Sequence, residues 1–155
     1  MTHYYTYDTI LGSVTFVEEN GALVVITTRH YLPEKGVCKE TPVIKEAFRQ
    51  LSEYFSGKRK EFHLPLLLKG TDFQKQVWNA LLKIPFGETR SYKQIAEAIG
   101  NPKAIRAVGM ANNKNPLLIV VPCHRVIGAN GKLVGYAVGL DRKEYLLRLE
   151  GSLRK

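Results

Sequence analysis

Two short helical segments joined with almost no loop dominate the second half of the sequence, and they leave few folds open. Ser91 and Gln94 form a capping box, the pattern in which two side chains close the N-terminus of a helix. Gly100 supplies a left-handed stop, and Asn101 is expected to cap a second helix that restarts at Pro102. The spacing predicts a helix-turn-helix. The expected buried positions are Ile95, Ala96, Ile99, Ile105 and Val108.

Further helices and a turn surround this pair. Thr71 and Gln74 form another capping box, and Pro85 closes the helix that they open. The Asn130-Gly131 pair predicts a tight turn that folds a small β-wing. A last helix is expected to be capped by Asp141 and Glu144 and to run to Glu150. The side chains expected to point inward from the Thr71 helix are Phe73, Val77, Ala80 and Leu81.

The first half of the chain mixes strands with one helix. Residues 13–18 and 22–27 read as a β-hairpin around an Asn20-Gly21 turn. Thr41 as N-cap and Pro42 at the first helical position open a helix that ends before Gly57. A basic connector then leads to Gly70. The predicted organisation is therefore two lobes, residues 1–69 and 70–155, in an α+β fold.

Charge is distributed unevenly between the two halves. Of the net charge of +9, residues 1–69 carry +1, whereas residues 70–155 hold fourteen Lys or Arg against six Asp or Glu, a net of +8. The second half is thus where a polyanion such as DNA would dock. A solvated basic surface explains the charge equally well, so the motifs must decide.

Composition excludes several classes of protein. The hydrophobic content of 45% is ordinary for a globular chain, and no apolar run approaches the roughly 18 residues of a membrane span. The first ten residues lack a basic segment followed by an apolar one, so we expect no secretory signal and a cytoplasmic location. Two cysteines, Cys38 and Cys123, are too few for a disulfide scaffold, and both are expected to be reduced.

The sequence Pro-Cys-His-Arg at residues 122–125 indicates a reactive thiol. Cationic neighbours favour the thiolate, which is the nucleophilic form of cysteine. In a regular strand, however, Cys123 and His124 would point to opposite faces and could not bond directly. Either Pro122 forces a turn or a water bridges the two side chains. Glu150 is the candidate carboxylate to orient His124.

The outward face of the second helix of the pair combines small residues with one long cation. Ala104, Ala107 and Ala111 permit a close approach to a groove, and Arg106 can reach from among them between base pairs. The alternative is that the alanines only favour the helix.

An ordered series of motifs resembles the methylated-DNA:protein-cysteine methyltransferases, also called O6-alkylguanine-DNA alkyltransferases. The series consists of ETRSYKQIA, RAVGMANNKNP, VPCHRVIG and GYAVGLDRKEYLLRLEG, within residues 71–151. The resemblance implies an N-terminal ribonuclease-H-like α/β lobe and a C-terminal winged-helix lobe. It also implies a monomer that repairs double-stranded DNA containing O6-alkylguanine, and O4-alkylthymine as a further substrate, by one irreversible alkyl transfer without a cofactor.

The same resemblance implies roles for individual residues. Cys123 would accept the alkyl group, while His124, through a water, and Glu150 would take up its proton. Asn115 would brace the cysteine turn, and Tyr92 would donate a hydrogen bond to the departing guanine. The DNA contacts would be Arg106, which fills the place of the extruded base in the minor groove, with Gln74, Lys93, Asn101, Ala104 and Ala107. The guanine pocket would be lined by Val126, Tyr136, Ala137 and Val138.

Two features of the sequence bear on differences within the family. Some relatives bind a structural zinc through two Cys and two His, but this chain offers Cys38 with His3, His30 and His63 at no ligand spacing, so we expect no metal. Relatives often carry two adjacent glycines where this chain has Val138-Gly139. A β-branched residue there is expected to narrow the alkyl pocket and to disfavour O6-benzylguanine relative to O6-methylguanine.

Two other functions compete with repair. A winged-helix regulator would bind alkylated DNA without removing the alkyl group, and Cys123 would then have no role in the function. A Cys-His hydrolase would need an oxyanion hole, of which the sequence gives no sign.

Overall fold

The computed structural model describes residues 1–131 and 139–153, which fold as two compact units, Met1–Lys69 and Gly70–Lys155. Among the described residues, no helix combines the length and the apolar character that crossing a bilayer requires.

The first unit is built on a four-stranded sheet with the strand order β3-β2-β1-β4. Its strands are β1 (Thr2–Thr9), β2 (Gly12–Glu19), β3 (Ala22–Thr27) and β4 (Val37–Cys38). The predicted hairpin of β2 and β3 is confirmed, and its turn uses positive φ at Asn20 (51°) and Gly21 (86°). Strand β1, which the sequence analysis did not predict, pairs antiparallel with β2 along its whole length.

Helix α1 (Pro42–Phe55) packs one face against this sheet. Thr41 caps it as predicted, since its side chain accepts a hydrogen bond from the Ile44 N–H. Tyr7 on β1 stacks on Phe48 with ring centroids 3.9 Å apart, so aromatic contact joins the helix to the sheet. The buried residues of α1 are Ile44, Ala47, Gln50, Leu51 and Tyr54.

The second unit begins with α2 (Asp72–Leu81), whose predicted capping box at Thr71 and Gln74 is confirmed. Trp78 is the largest buried side chain of this unit, and its indole N–H donates to the carbonyl of Ala111 at 2.9 Å. A Cβ at Gly70 would lie 2.7 Å from the Trp78 ring, so the chain can pass this close to the indole only with glycine there.

The helix-turn-helix consists of α3 (Tyr92–Ala98) and α4 (Ile105–Asn113). The capping box at Ser91 and Gln94 is confirmed, and Gly100 has the expected positive φ of 78°. The predicted start of the second helix at Pro102 is wrong, because α4 begins at Ile105. The Asn101 N–H instead bonds to the carbonyl of Ala96 and so closes the end of α3.

Two predicted faces of α4 also need correction. Ile105 is 41% exposed rather than buried, whereas Ala111, expected to face outward, is 3% exposed. Val108 is fully buried, as predicted. The later start of α4 accounts for the error at Ile105. Ile105 is the first residue of the helix and faces solvent, and the helix is buried only further along, at Val108.

The remaining elements of this unit are a short strand pair and a last helix, which contacts the turn at residues 123–125. Strands β5 (Arg90–Ser91) and β6 (Val126–Ile127) form a short parallel pair. Helix α5 (Leu140–Leu149) begins after Gly139, whose φ is 106°. Asp141 is therefore in the first turn of α5 and is not its cap, which corrects the sequence analysis. The predicted wing would return through residues 132–138, which lie outside the described residues.

Candidate active site

Cys123, His124 and Arg125 form a single 3-10 turn directly after Pro122. The Arg125 N–H bonds to the carbonyl of Pro122 at 3.0 Å, so the chain turns here and does not continue as a strand. The turn at Pro122, one of the two possibilities that the sequence analysis left open, is therefore present, and it does not exclude a bridging water. All three residues are buried, with exposures of 4%, 0% and 7%.

His124 is held at one ring nitrogen by Glu150, the residue that follows α5. Its Nε2 lies 2.8 Å from Glu150 Oε2, and neither side chain is exposed. A carboxylate only accepts hydrogen bonds, so Nε2 carries the hydrogen. The other nitrogen, Nδ1, is buried and bonds to nothing within residues 1–131 and 139–153. Burial lowers the pKa of His124, and this outweighs the opposing effect of Glu150. The ring is therefore neutral, with an unprotonated Nδ1.

Arg125 is the second partner of Glu150, and the sequence analysis did not foresee this. Its Nε and Nη2 donate to the two carboxylate oxygens at 2.8 and 2.9 Å, and its Nη1 donates to the carbonyl of Ile84 at 2.6 Å. Burial raises the pKa of Glu150, but the hydrogen bonds from His124 and Arg125 outweigh burial and hold this pKa at about 2. The carboxylate is therefore charged and fixed in place.

Asn115 ties down the segment that leads into the cysteine turn. Its Nδ2 donates to the carbonyl of Val121 at 2.7 Å, and its Oδ1 accepts from the Leu117 N–H at 3.0 Å. The side chain thus bonds to the backbone on both sides of a loop in which Ile119 has a positive φ of 71°. A β-branched residue in that conformation is strained, which makes such support necessary.

Tyr92 and Lys143 come together beside Cys123. The Nζ atom of Lys143 lies 6.0 Å from the centroid of the Tyr92 ring and donates to the carbonyl of Val126 at 2.5 Å. Burial raises the pKa of Tyr92, as does the charge of Cys123. Burial lowers the pKa of Lys143 to about 8, although the charge of Cys123 opposes this. Lys143 lies on the inner face of α5 with Leu147, and the sequence analysis did not include it among the site residues.

The residues expected to touch DNA are placed on the second unit with different exposures. Arg106 and Ala107 on α4, Lys93 on α3 and Asn101 in the turn are exposed, whereas Ala104 is half-buried. The Gln74 side chain is engaged in the capping box of α2. Beside Arg106, α4 also exposes Met110, at 60%. An exposed face with one arginine and small or apolar neighbours suits a groove of DNA.

The expected guanine pocket is described only in part. Val126, on β6, is fully buried. Tyr136, Ala137 and Val138 lie outside the described residues, so the pocket and the effect of Val138 stay predictions. In the part of the chain that is described, no group of three or more His, Cys, Asp and Glu could hold a metal ion. Cys38 lies exposed on β4.

Two family models match the chain, one in each unit. Residues 2–68 match the ribonuclease-like domain of 6-O-methylguanine DNA methyltransferase, and residues 72–152 match the DNA binding domain of the same family. The predicted fold class is thereby confirmed.

Similar proteins of known sequence or structure agree with these matches. A methylated-DNA–protein-cysteine methyltransferase of Methanosarcina acetivorans is 68% identical over 78% of this chain and 77% of its own length. The protein of that name from Mycobacterium tuberculosis is 49% identical over 98% of this chain and 94% of its own length. The crystal structure of Mycobacterium tuberculosis OGT in complex with DNA has a TM-score of 0.91 and 48% identity, covering 97% of this chain and 93% of that one.

Proposed function

The chain belongs to the O6-methylguanine DNA methyltransferase family, and from this premise we propose that Cys123 is the residue that accepts the alkyl group. Its activity is that of a methylated-DNA–protein-cysteine methyltransferase, which repairs O6-methylguanine in DNA. The observation that carries the assignment is the pairing of the buried Cys123 turn with a neutral His124, whose unprotonated Nδ1 is available as a base.

The first step is loss of the thiol proton. His124 Nδ1 receives it through a bridging water, and the ring then carries a positive charge beside the Glu150 carboxylate. Glu150 stabilises that charge and fixes the ring through its hydrogen bond to Nε2. Arg125 keeps the carboxylate ionised and in position. Lys143, which is buried nearby, stabilises the thiolate by its positive charge.

The second step is displacement at the alkyl carbon. The sulfur forms a bond to that carbon as the bond between carbon and O6 breaks, and the electron pair stays on guanine. Tyr92 donates a hydrogen bond and then its proton to the departing base, and the Tyr92 oxygen regains a proton from protonated His124 through solvent, so the thiol proton is in effect transferred to guanine. The product is a thioether, whose sulfur is a poor leaving group. One turnover per molecule follows.

Access to the base requires that the guanine leaves the duplex. We assign the gap-filling role to Arg106, because it is exposed on α4 among small neighbours. Extrusion costs a few kcal/mol, and a side chain that occupies the gap prolongs the open state. The further proposed contacts are Gln74, Lys93, Asn101, Ala104 and Ala107 with DNA, and Val126, Tyr136, Ala137 and Val138 with guanine.

The test is a duplex oligonucleotide that carries O6-methylguanine with a radiolabelled methyl group. After incubation, label should appear on the protein, with at most one methyl group per protein molecule. Digestion and mass spectrometry should place the methyl group on Cys123. The Cys38→Ala variant is the control and should take up label fully. Label on any other residue, or release of labelled methanol, would overturn the assignment.

A further inference from the structure

Asn112 is a buried polar residue on the inner face of α4, and the proposed reaction does not use it. Its side chain is 1% exposed, and its Nδ2 donates to the backbone carbonyl of Cys123 at 3.3 Å. A side-chain hydrogen bond also joins it to Tyr92. One amide therefore contacts both the acceptor turn and the first residue of α3.

Tyr92, at the start of α3, lies against the same face of α4, at a position one turn before Asn112. A Cβ at Gly109 would lie 3.8 Å from the Tyr92 ring, which is ordinary contact distance. Gly109 and Asn112 are three residues apart, so they are neighbours on the helix surface. The Tyr92 ring therefore lies beside Gly109, and the amide of Asn112 bonds to the polar end of the same side chain.

The orientation of the amide follows from its partners. The carbonyl of Cys123 only accepts hydrogen bonds, so the NH2 group must face it. Oδ1 is left buried and bonds to nothing in the described part of the chain. A buried polar atom without a partner destabilises the fold. An apolar residue of the same size would avoid that cost, so the amide is better explained by the site than by stability.

We propose that Asn112 is a positioning residue. It fixes the hydroxyl of Tyr92 relative to the backbone of Cys123, so that the proton donor and the thiol both reach the same bound guanine. This inference rests on the proposed function, since it requires Tyr92 to assist the departing guanine. The hydrogen bond from Asn112 also lowers the pKa of Tyr92 and so opposes burial, which suits a group that must donate a proton.

Two reactions of Cys123 separate this role from a merely structural one. Transfer from the free base O6-benzylguanine needs the proton donor but no DNA. Alkylation by iodoacetamide needs the thiolate, but its iodide leaves without a proton. The Asn112→Leu variant should lose about 10-fold in the first rate, as expected for a misplaced catalytic group, and stay within about twofold in the second. Equal losses in both reactions, or no loss in either, would overturn the proposal.

The double variant with Tyr92→Phe separates failure of this inference from failure of the proposed mechanism. If Asn112 acts through Tyr92, Asn112→Leu should add little to the loss caused by Tyr92→Phe. A slow Tyr92→Phe with a fully active Asn112→Leu would refute only the role of Asn112. If Tyr92→Phe keeps the full rate, both roles are wrong, although Cys123 can still be the acceptor. The matched control is Asn113→Leu, in which the next residue of α4 is exposed.

The Asn112→Asp variant gives a second readout if the leucine variant does not fold. A buried carboxyl has a raised pKa, and it can donate a hydrogen bond only when protonated. The rate of this variant relative to the unmodified protein should therefore rise as the pH falls from 8 to 5. A ratio that does not change with pH would contradict the positioning role.

Discussion

The Nε2 atom of His124 and the Oε2 atom of Glu150 lie 2.8 Å apart with both side chains fully buried. Arg125 donates to the same carboxylate, so Glu150 is charged between two partners. The orientation of the proposed base and the charge balance of this buried cluster therefore depend on a single carboxylate.

Glu150→Gln is expected to weaken both the fold and the chemistry. The amide leaves the Arg125 guanidinium buried without a counter-charge, and breaking such a pair costs about 3 kcal/mol or more. Urea unfolding should show this loss, and alkyl transfer should fall about 100-fold because His124 loses its charged partner. Glu144→Gln, which breaks an exposed pair with Arg148, is the control and should change neither by much. An unfolding free energy equal to that of the unmodified protein would contradict the prediction.

The Glu150 carboxylate should also give a defined acid dependence of stability. Its pKa falls from an ordinary 4.5 to about 2 in the folded protein, so the unfolded chain binds more protons between these values. The stabilisation is complete above pH 4.5 and is lost as the pH falls towards 2, by about 3 kcal/mol. Unfolding curves at a series of pH values should show this decrease in the free energy of unfolding. The Glu150→Gln variant should lack the part of the decrease that Glu150 contributes. An equal slope in both proteins would refute the assignment.

Lys143 should make the stability of the fold depend on pH in the alkaline range. Burial lowers its pKa from 10.5 to about 8, so the folded protein binds fewer protons than the unfolded chain between these values. Stability should therefore rise as the pH increases from 8 to 10.5, by at most roughly 3 kcal/mol. Lys143→Met should remove this rise, whereas Lys103→Met, at an exposed position, should retain it. The measurement is denaturant unfolding at pH 7.5, 9 and 10.

Cys123→Ala should abolish alkyl transfer while leaving affinity for alkylated duplex DNA within about threefold. The basic surface and the exposed face of α4 are unchanged by this substitution, and phosphate contacts dominate affinity. Label transfer and a gel-shift titration measure the two properties on the same DNA. Residual transfer in this variant would indicate Cys38 as an acceptor.

Arg106→Ala should slow repair of duplex DNA far more than reaction with free alkylguanine. Base extrusion costs a few kcal/mol, so loss of the gap-filling side chain corresponds to roughly 10- to 100-fold in the duplex reaction. The comparison needs second-order rate constants on both substrates, with Lys114→Ala as a second exposed cation removed near the other end of α4. Equal losses on duplex and free base would refute the gap-filling role.

What the sequence predicted well was local. The capping boxes at Thr71 and Ser91 join side chains and backbone three residues apart, so the pattern contains the whole interaction. The predicted start of α4 at Pro102 was wrong because it does not depend on a local pattern alone. Asn101 has the composition of a cap, but its N–H is engaged by Ala96 at the end of the preceding helix, and competition between two helix ends does not appear in a residue pattern.

The buried partners of the site were harder to predict, because they pair across long stretches of chain. Glu150 lies 25 residues from Arg125, and Lys143 lies 17 residues from the carbonyl that it bonds. Lysine and arginine are seldom buried unless paired, so a sequence reading places them at the surface. The sequence indicated Cys123 as the candidate nucleophile and Glu150 and Asn115 as its supporting residues, but it left the turn undecided. The turn itself, the pairing of Arg125 with Glu150 and the contact of Asn112 needed coordinates.

The position of Glu150 after α5 also orders events during synthesis of the protein. Its partner His124 precedes it by 26 residues, so a ribosome makes the Cys123 turn well before it makes the carboxylate that orients the imidazole. Until α5 has been translated and has folded back, Arg125 has no Glu150 to neutralise it, and the proposed thiol has no aligned base. The proposed alignment of His124 by Glu150 is therefore established only after α5 has been made and has folded back onto the Cys123 turn.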